Sequence, residues 1–259
     1  MDQILQAIVM GVVQGLTEFL PISSSGHLII VPYLFGWKDP FLTSLAFSVV
    51  LHAGTLLALL VYFRDDWMRL IPAGLATLRD RSFRGDPDRR LAWLLVASTV
   101  PAAVAAVFLN DVIESNVRHV GVVAVLLVIG GAILWVADRW GSRTHTIDRL
   151  TLRGAIGIGA AQALALAPGV SRSGISMSAA LFAGLNRTDA VRYSFLMATP
   201  ITGLAVVYEG YKLVKGEVGG AEPVVLLVGV VASFVSGLIA IAILLRYIRT
   251  RSFNVFVLY

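Results

Sequence analysis

The chain has 259 residues, of which 57% are hydrophobic and only 14% charged, and its formal net charge is +5. Soluble domains carry about 25% charged residues, so this composition cannot cover a water-exposed surface; it excludes an ordinary cytosolic enzyme, a disordered protein and a nucleic-acid binder. The absence of cysteine excludes disulfides, thiol catalysis and Cys-ligated metals. We therefore predict an all-α polytopic membrane protein.

The apolar runs of the chain predict its membrane spans. Backbone amides find no partner in lipid, so runs that cross about 30 Å of hydrocarbon must be helical. Five runs are long enough: Phe41–Phe63, Leu91–Leu109, Val120–Ala137, Tyr193–Val214 and Pro223–Leu245. Two further apolar regions, Ile4–Phe35 and Gly154–Leu185, are interrupted by Pro and polar residues. The chain ends inside another apolar stretch, Phe253–Tyr259, which we interpret as the start of a truncated span.

The connecting loops predict the orientation of the spans. Arg64–Arg90 holds seven Arg, Asp138–Arg153 four and Arg246–Arg251 three, whereas Asn110–His119 and Lys215–Glu222 hold one Lys or Arg each. The positive-inside rule places the first three loops in the cytoplasm and the other two outside, and we interpret Arg64–Arg90 as a solvated cytoplasmic face. Both interrupted regions must then enter and leave on one side. We expect each to be a re-entrant helix hairpin, the first open to the outside and the second to the cytoplasm.

The two interrupted regions also suggest an internal repeat. An offset of 148 residues aligns Gly11–Gln14 with Gly159–Gln162. Three spans separate the hairpins, so the second copy would be inverted. We expect one membrane domain over 1–259, with repeats at about 1–140 and 150–259, each a re-entrant hairpin plus three transmembrane helices. Chance similarity between common small residues is the alternative. A true inverted repeat would place a binding site near the midplane, where the two breaks meet.

Each break combines a helix stop with residues able to cap a new helix. In the first, Gln14 and Glu18 share one helix face, Pro21 ends the helix, and the run Ser23–His27 follows. In the second, a Pro–Gly stop precedes the segment 171–176, which contains Arg172. Free amides at both new helix starts would favour an anion such as phosphate.

Several of these polar residues also allow a purely structural interpretation. Arg172 matches phosphate oxygens with its planar donors, but it can instead pair with Glu18 to neutralise two buried charges. Gln14 can be a hydrogen bond between helices, and the serines can be caps only. For His27, beside Glu18 and three hydroxyls, we favour chemistry over an interfacial position. His52 stands alone in an apolar span and is interpreted as structural.

The two breaks together resemble motifs of the BacA-type undecaprenyl-pyrophosphate phosphatases, bacterial membrane enzymes that recycle the lipid carrier of cell-wall synthesis. The family's first motif, E/Q-x-x-x-E followed by P-x-S-S-x-G-H, is matched by Gln14, Glu18 and Pro21–His27. Its second, P-G-x-S-R-S-x-x-S/T, is matched by Pro168–Ser176. The resemblance covers the whole chain in length, span order and repeat, and the motif pair is specific.

The resemblance implies hydrolysis of a C55 polyprenyl diphosphate to the monophosphate and inorganic phosphate. It further implies dependence on a divalent cation (Mg²⁺ or Ca²⁺), bacitracin resistance on overexpression, and a bacterial inner-membrane location with the site facing the periplasm. The expected partners are undecaprenyl diphosphate and membrane lipids, and the Gly- and Ala-rich helices permit a homodimer. The chain departs from the family pattern at Gln14, where a Glu is often found, which leaves a metal site with one carboxylate. The resemblance also implies a further membrane helix at the end, which we expect to be truncated after Tyr259.

These implications give each candidate residue an expected role. Arg172 clamps the diphosphate, Ser24 is the nucleophile, His27 transfers its proton three residues on, and Glu18 with Gln14 holds the cation or orients a water. The residues expected to bind substrate are Gln14, Ser23, Ser25, Gly26, Ser171, Ser173, Gly174 and Ser176. Direct attack by water, with His27 or Glu18 as base, stays open. The alternative function is a transporter of the lipid carrier or of phosphate.

Overall fold

A computed structural model describes residues 3–83, 85–117, 119–215 and 222–259, with the side chains of 110–117 and 213–214 outside that description. Its regular structure there is α-helical, apart from two short 3₁₀ turns. The helices are α1 (Gln3–Phe19), α2 (Ser24–Phe35), α3 (Leu45–Tyr62), α4 (Arg64–Asp80), α5 (Pro87–Val117), α6 (Val120–Trp140), α7 (Leu152–Ala163), α8 (Arg172–Phe182), α9 (Arg187–Val214), α10 (Pro223–Tyr247) and α11 (Asn254–Leu258).

Five of the described helices are long and apolar enough to cross a membrane, as predicted. They are α3, α5, α6, α9 and α10. Helix α9 begins at Arg187, six residues before the predicted span, and α5 continues to Val117, so most of the predicted loop Asn110–His119 is helical. The loop Lys215–Glu222 lies mostly outside the described residues. The chain is a multi-pass membrane protein.

The segment Arg64–Arg90 is not the solvated loop that its arginines predicted. Most of it is helix α4, which buries Leu70, Ala73 and Thr77 on one face. Its opposite face exposes Met68 and other large apolar side chains. Charged residues at both ends of the helix conceal these apolar side chains when the segment is judged by its composition.

Both interrupted regions are helix–break–helix units, as predicted. The first consists of α1 and α2, and the second of α7 and α8. Ser23 and Ser171 cap the second helix of each pair, and both adopt a positive φ, at 69° and 66°. Their hydroxyl oxygens accept the amides of Gly26 and Gly174 at 3.3 and 3.1 Å. A positive φ at a residue with a side chain costs about 1–3 kcal/mol, so the surrounding structure must hold both turns in place.

Helix α6 packs against both breaks and helps to hold them. Gly169, before the second break, has φ +106° and lies so close to α6 that a Cβ would sit 2.6 Å from the Val123 carbonyl oxygen. A Cβ on Gly26 would lie 3.2 Å from the Val123 side chain. The breaks also meet directly, since Ser173 Oγ donates to the Leu20 carbonyl oxygen at 3.1 Å. The ends of α1 and α8 are therefore held together.

Close packing against α10 and α9 fixes the position of α1. Its residue Gly15 lies against α10 so closely that a Cβ would be 2.0 Å from Ser236 Oγ, so no larger residue fits there without a shift of the helix. At the end of α1, the Phe19 ring packs edge-on against Phe195 of α9, with ring centroids 5.3 Å apart. These contacts fix the last two turns of α1, which carry Gln14 and Glu18.

Candidate functional site

Glu18 is the centre of the polar site. Its side chain is only 5% exposed and lies in the last turn of α1, beside the first break. Oε1 accepts hydrogen bonds from Arg172 Nε at 3.2 Å and Nη2 at 2.8 Å. Oε2 accepts from Gln14 Nε2 at 2.9 Å and from Ser24 Oγ at 2.5 Å. A buried carboxylate requires this many donors, because each lost hydration bond must be replaced.

Arg172 reaches Glu18 from the second break. It is the first residue of α8, so the strained turn at Ser171 and the link between Ser173 and Leu20 determine its position. Its pairing with Glu18 is the structural alternative that the sequence left open, and the structure contains that pair. The pairing leaves Nη1 buried and without a partner among the described residues. One of the three guanidinium nitrogens therefore makes no hydrogen bond to the described residues.

His52, interpreted from the sequence as a structural residue alone in its span, lies in contact with the site. Its Nε2 lies 3.3 Å from Glu18 Oε2, and its Nδ1 lies 2.7 Å from the Ser48 carbonyl oxygen. The sequence contained a signal for it, since an ionisable side chain inside an apolar span is costly and points to function by default. However, the sequence shows no polar partner for His52 within one turn of its own helix.

His27 is not hydrogen-bonded to Ser24, although three residues on α2 separate them. Its Nδ1 donates to the Ser23 carbonyl oxygen at 2.7 Å. Its Nε2 lies 3.0 Å from the Tyr259 hydroxyl, and the two rings stack with centroids 5.7 Å apart. The expected Ser24–His27 contact is therefore replaced by Ser24–Glu18, and both His27 nitrogens are engaged elsewhere.

The remaining serines of the breaks are engaged with protein groups. Ser25 Oγ lies 3.3 Å from Ser23 Oγ, and Ser176 Oγ lies 2.6 Å from Ser194 Oγ on α9. Ser173 Oγ supports the contact between the breaks described above. In the first turn of α2 and of α8, the caps occupy only the third amide, so the first two of each helix have no acceptor within the helix. Arg172 Nη1 is a further donor at the start of α8 without a partner among the described residues.

The donors around Glu18 do not fit a divalent cation held by Glu18 and Gln14. Mg²⁺ and Ca²⁺ take several oxygen ligands, yet all the acceptor positions of this carboxylate are occupied and one donor is a guanidinium. The part of the chain that the structure describes contains no cluster of three or more His, Asp or Glu side chains able to hold a metal. Of the two side chains expected to hold the cation, only Gln14 offers an oxygen without a partner among those residues, its buried Oε1.

The fold and the site define a class of protein: a multi-pass membrane protein whose buried polar site joins two broken helices. The chain belongs to the BacA family, since the family model described as bacitracin resistance protein BacA matches residues 7–259. It is 47% identical over 254 residues to the undecaprenyl-diphosphatase of Gemmatimonas aurantiaca, covering 98% of this chain and 92% of that protein. The protein of the same name from Geobacter sulfurreducens is 46% identical over 258 residues, covering 99% and 94%. The one from a Nocardioides species is 45% identical over 260 residues, covering 100% and 93%.

Proposed function

We propose that the protein hydrolyses undecaprenyl diphosphate to undecaprenyl phosphate and inorganic phosphate. The observation that carries the proposal is the hydrogen-bonded chain Ser24–Glu18–Arg172, which combines a hydroxyl, a carboxylate and a partly free guanidinium in one buried site. Phosphoryl transfer needs these three elements more than any other: an in-line nucleophile, an acceptor for its proton, and neutralisation of phosphate charge. The names of the relatives support the same activity.

In the proposed reaction, Ser24 attacks the terminal phosphorus. Its Oγ–H donates to Glu18 Oε2, so that carboxylate can take the proton as the new O–P bond forms. The bond to the bridging oxygen breaks, and its electron pair leaves with undecaprenyl phosphate. Water then cleaves the phosphoserine to release inorganic phosphate and restores the proton to Ser24. Direct attack by water on the diphosphate, with Ser24 only a ligand, is the rival sequence of steps.

The diphosphate would bind where the two breaks meet. Arg172 Nη1 and the free first-turn amides of α2 and α8 would donate to its non-bridging oxygens, which matches the preference of helix starts for phosphate. Ser23, Ser25, Ser171, Ser173 and Ser176 would shape this cradle by holding its backbone. The apolar faces of the surrounding spans would keep the polyprenyl tail in the bilayer.

The architecture around the site is proposed to be an inverted-topology repeat of residues 1–140 and 150–259. The equal capping geometry of Ser23 and Ser171, at the same offset as the sequence similarity, supports it. The arginine-rich connections support a cytoplasmic side opposite the opening of the first hairpin, and hence a periplasmic site in the bacterial inner membrane.

The proposed cation enters on the substrate. Because the donors around Glu18 leave no room for it there, we assign Mg²⁺ or Ca²⁺ to the diphosphate oxygens, where it would offset their charge. EDTA should then abolish phosphate release without changing the thermal stability of the protein. A large loss of stability in EDTA would place the metal within the fold instead.

The main test is phosphate release from C55 diphosphate in detergent by the wild type and by Arg172→Ala. The wild type should turn over and the variant should lose about 10²-fold or more in rate, because charge neutralisation is lost. Transport of the lipid carrier or of phosphate is the second candidate, favoured by the matched breaks. A transporter would release no phosphate without a membrane barrier, so an inactive, folded wild type would overturn the proposal.

A matched control separates chemistry from stability. Removing one partner of a buried pair costs about 3–5 kcal/mol, so Arg172→Ala can fail by unfolding. Arg187, past the other end of α8, makes a comparable pair with Asp138 at 2.5 Å. Arg187→Ala should lose stability yet keep its rate per folded molecule. The double variant Glu18→Gln with Arg172→Gln removes both charges together, and we expect it to fold without turning over.

A further inference from the structure

One group in the site has no role in the proposed reaction. His52 comes from α3, whereas all other partners of Glu18 come from α1, α2 and α8. Its side chain is 24% exposed, so the ring is not fully enclosed by the apolar core. Packing alone does not require an imidazole at this position in a membrane span.

A backbone carbonyl one turn earlier in α3 fixes the orientation of the His52 ring. The Ser48 carbonyl can only accept a hydrogen bond, so the contact at 2.7 Å means that Nδ1 carries a hydrogen. Ser48 is itself tied to the helix start, because its Oγ donates to the Ser44 carbonyl oxygen at 3.0 Å. Helix α3 is tied to α10, since Ser233 Oγ donates to the Leu51 carbonyl oxygen at 2.8 Å. The imidazole therefore presents Nε2 to Glu18 from a rigid support.

The geometry of the Arg172–Glu18 ion pair indicates how the contact between His52 and Glu18 can matter. An arginine and a carboxylate prefer a fork-to-fork arrangement, with one donor on each oxygen. Here Arg172 places both Nε and Nη2 on Oε1, and Oε2 is left to Gln14, Ser24 and His52. A rotation of the carboxylate into the fork would remove Oε2 from the Ser24 hydroxyl.

We propose that His52 is a positioning residue that holds the Glu18 carboxylate out of the fork-to-fork arrangement and so keeps Oε2 on the Ser24 hydroxyl. The proposal rests on the proposed phosphatase function. His52 acts only through Glu18 and touches no reacting atom. Arg172 Nη1 is free in either arrangement, so the loss of His52 should slow the chemical step and leave substrate affinity nearly unchanged.

The test compares His52→Leu with His52→Gln in phosphate release from C55 diphosphate. Leucine keeps the bulk of the side chain but cannot donate a hydrogen bond, and kcat should fall about 10- to 100-fold, as expected for a misplaced reacting group, with KM within about threefold. Glutamine can donate through its amide, and it should restore kcat to within about fivefold of the wild type. Equal kcat for His52→Leu and the wild type would overturn the proposal.

Two further measurements keep the result unambiguous. Thermal unfolding should be similar for both variants; a parallel loss of stability and kcat in both would mean that His52 is only structural. In the Glu18→Gln background, single-turnover rates should not change further with His52→Leu, since interacting residues are not additive. An additional loss there would show that His52 does not act through Glu18. An inactive wild type would instead refute the proposed function itself.

Discussion

The two broken helices share one backbone device and divide the chemistry between them. Ser23 and Ser171 have the same strained turn and the same hydrogen bond to a glycine amide three residues on. Directly after these caps, however, the first break carries Ser24 and the second carries Arg172. Each turn therefore places the next side chain at the start of the new helix, beside two amides that have no acceptor within the helix. The residue after the cap decides whether that start carries a hydroxyl or a positive charge.

The comparison extends along the preceding helices. Gln14 in α1 hydrogen-bonds to Glu18, but Gln162, the residue of α7 that aligns with it, has both amide atoms buried and without partners in the described part of the chain. The position aligned with Glu18 is Leu166, which offers no carboxylate. The first break therefore holds a polar network at these positions, and the second does not. Variants in the two breaks should behave very differently.

The largest expected difference is between two serines. Ser24→Ala should lower kcat at least about 10³-fold, because its hydroxyl is the proposed nucleophile. Ser173→Ala removes only the hydrogen bond to the Leu20 carbonyl and should cost about 1 kcal/mol of stability, with kcat within about fivefold. Initial rates of phosphate release and thermal unfolding in detergent measure both. Quenched wild-type reactions should contain phosphoserine at residue 24; a Ser24→Ala enzyme of near-normal rate would instead establish direct attack by water.

A smaller difference is expected between the aligned glutamines. Gln14→Leu removes a donor from Glu18 Oε2 and should reduce kcat about tenfold. Gln162→Leu replaces an unpaired buried amide with an apolar side chain of similar size. It should leave kcat unchanged and raise the stability by as much as about 1 kcal/mol. If Gln162→Leu lost activity, the second break would hold a polar function that its contacts do not show.

Local signals in the sequence were sufficient for the breaks and for most of the site. Pro21 and the serine runs act locally, because the end of a helix and its cap depend on only a few neighbouring residues. The pairing of Arg172 with Glu18 was also foreseen as an alternative, since two buried charges in one membrane domain need each other. The five spans follow from the length of the apolar runs alone.

The missed features depend on tertiary contacts that no local pattern encodes. The distance between His52 and Glu18 depends on how α3 crosses α1, and 34 residues separate them in the sequence. His27 turns toward Tyr259, a residue 232 positions away, rather than toward Ser24. Helix α4 was hidden because its end charges outweigh the apolar stripe when the segment is judged by composition. The roles of the site residues in catalysis remain predictions for the experiments above.

The smallest expected difference concerns the contacts that join the two ends of each helix pair, α1–α2 and α7–α8, away from the break. The second hairpin is closed by backbone bonds: the His145 amide donates to the Gly184 carbonyl and the Asn186 amide to the His145 carbonyl, both at 2.9 Å. The first is closed by side chains, since Gln3 Nε2 donates to Asp39 Oδ2 at 2.7 Å. The Asp189 carboxylate adds a side-chain contact to the second tie, since it accepts the Ile147 amide at 3.1 Å, whereas the first tie depends on the Asp39 carboxylate itself.

The tie at Asp39 should therefore make the first hairpin sensitive to acid. The Leu42 amide donates to the Asp39 carboxylate and, with smaller contributions from Gln3 and the Phe41 amide, lowers the pKa of that carboxyl below its ordinary 3.8, although burial opposes the shift. A lowered pKa in the folded state stabilises the fold above the ordinary pKa, and this stability is lost as the pH falls through the lowered value. At pH 7, Asp39→Ala should cost about 1 kcal/mol, as for other capping residues, and Asp39→Asn less, because its amide oxygen still accepts. Thermal unfolding in detergent should show the advantage of the wild type over Asp39→Asn disappearing as the pH falls through the lowered pKa of Asp39, because the neutral carboxyl, like the amide, accepts only through its carbonyl oxygen. An advantage that stays constant from pH 7 into strong acid would mean that the tie acts through shape and not through charge.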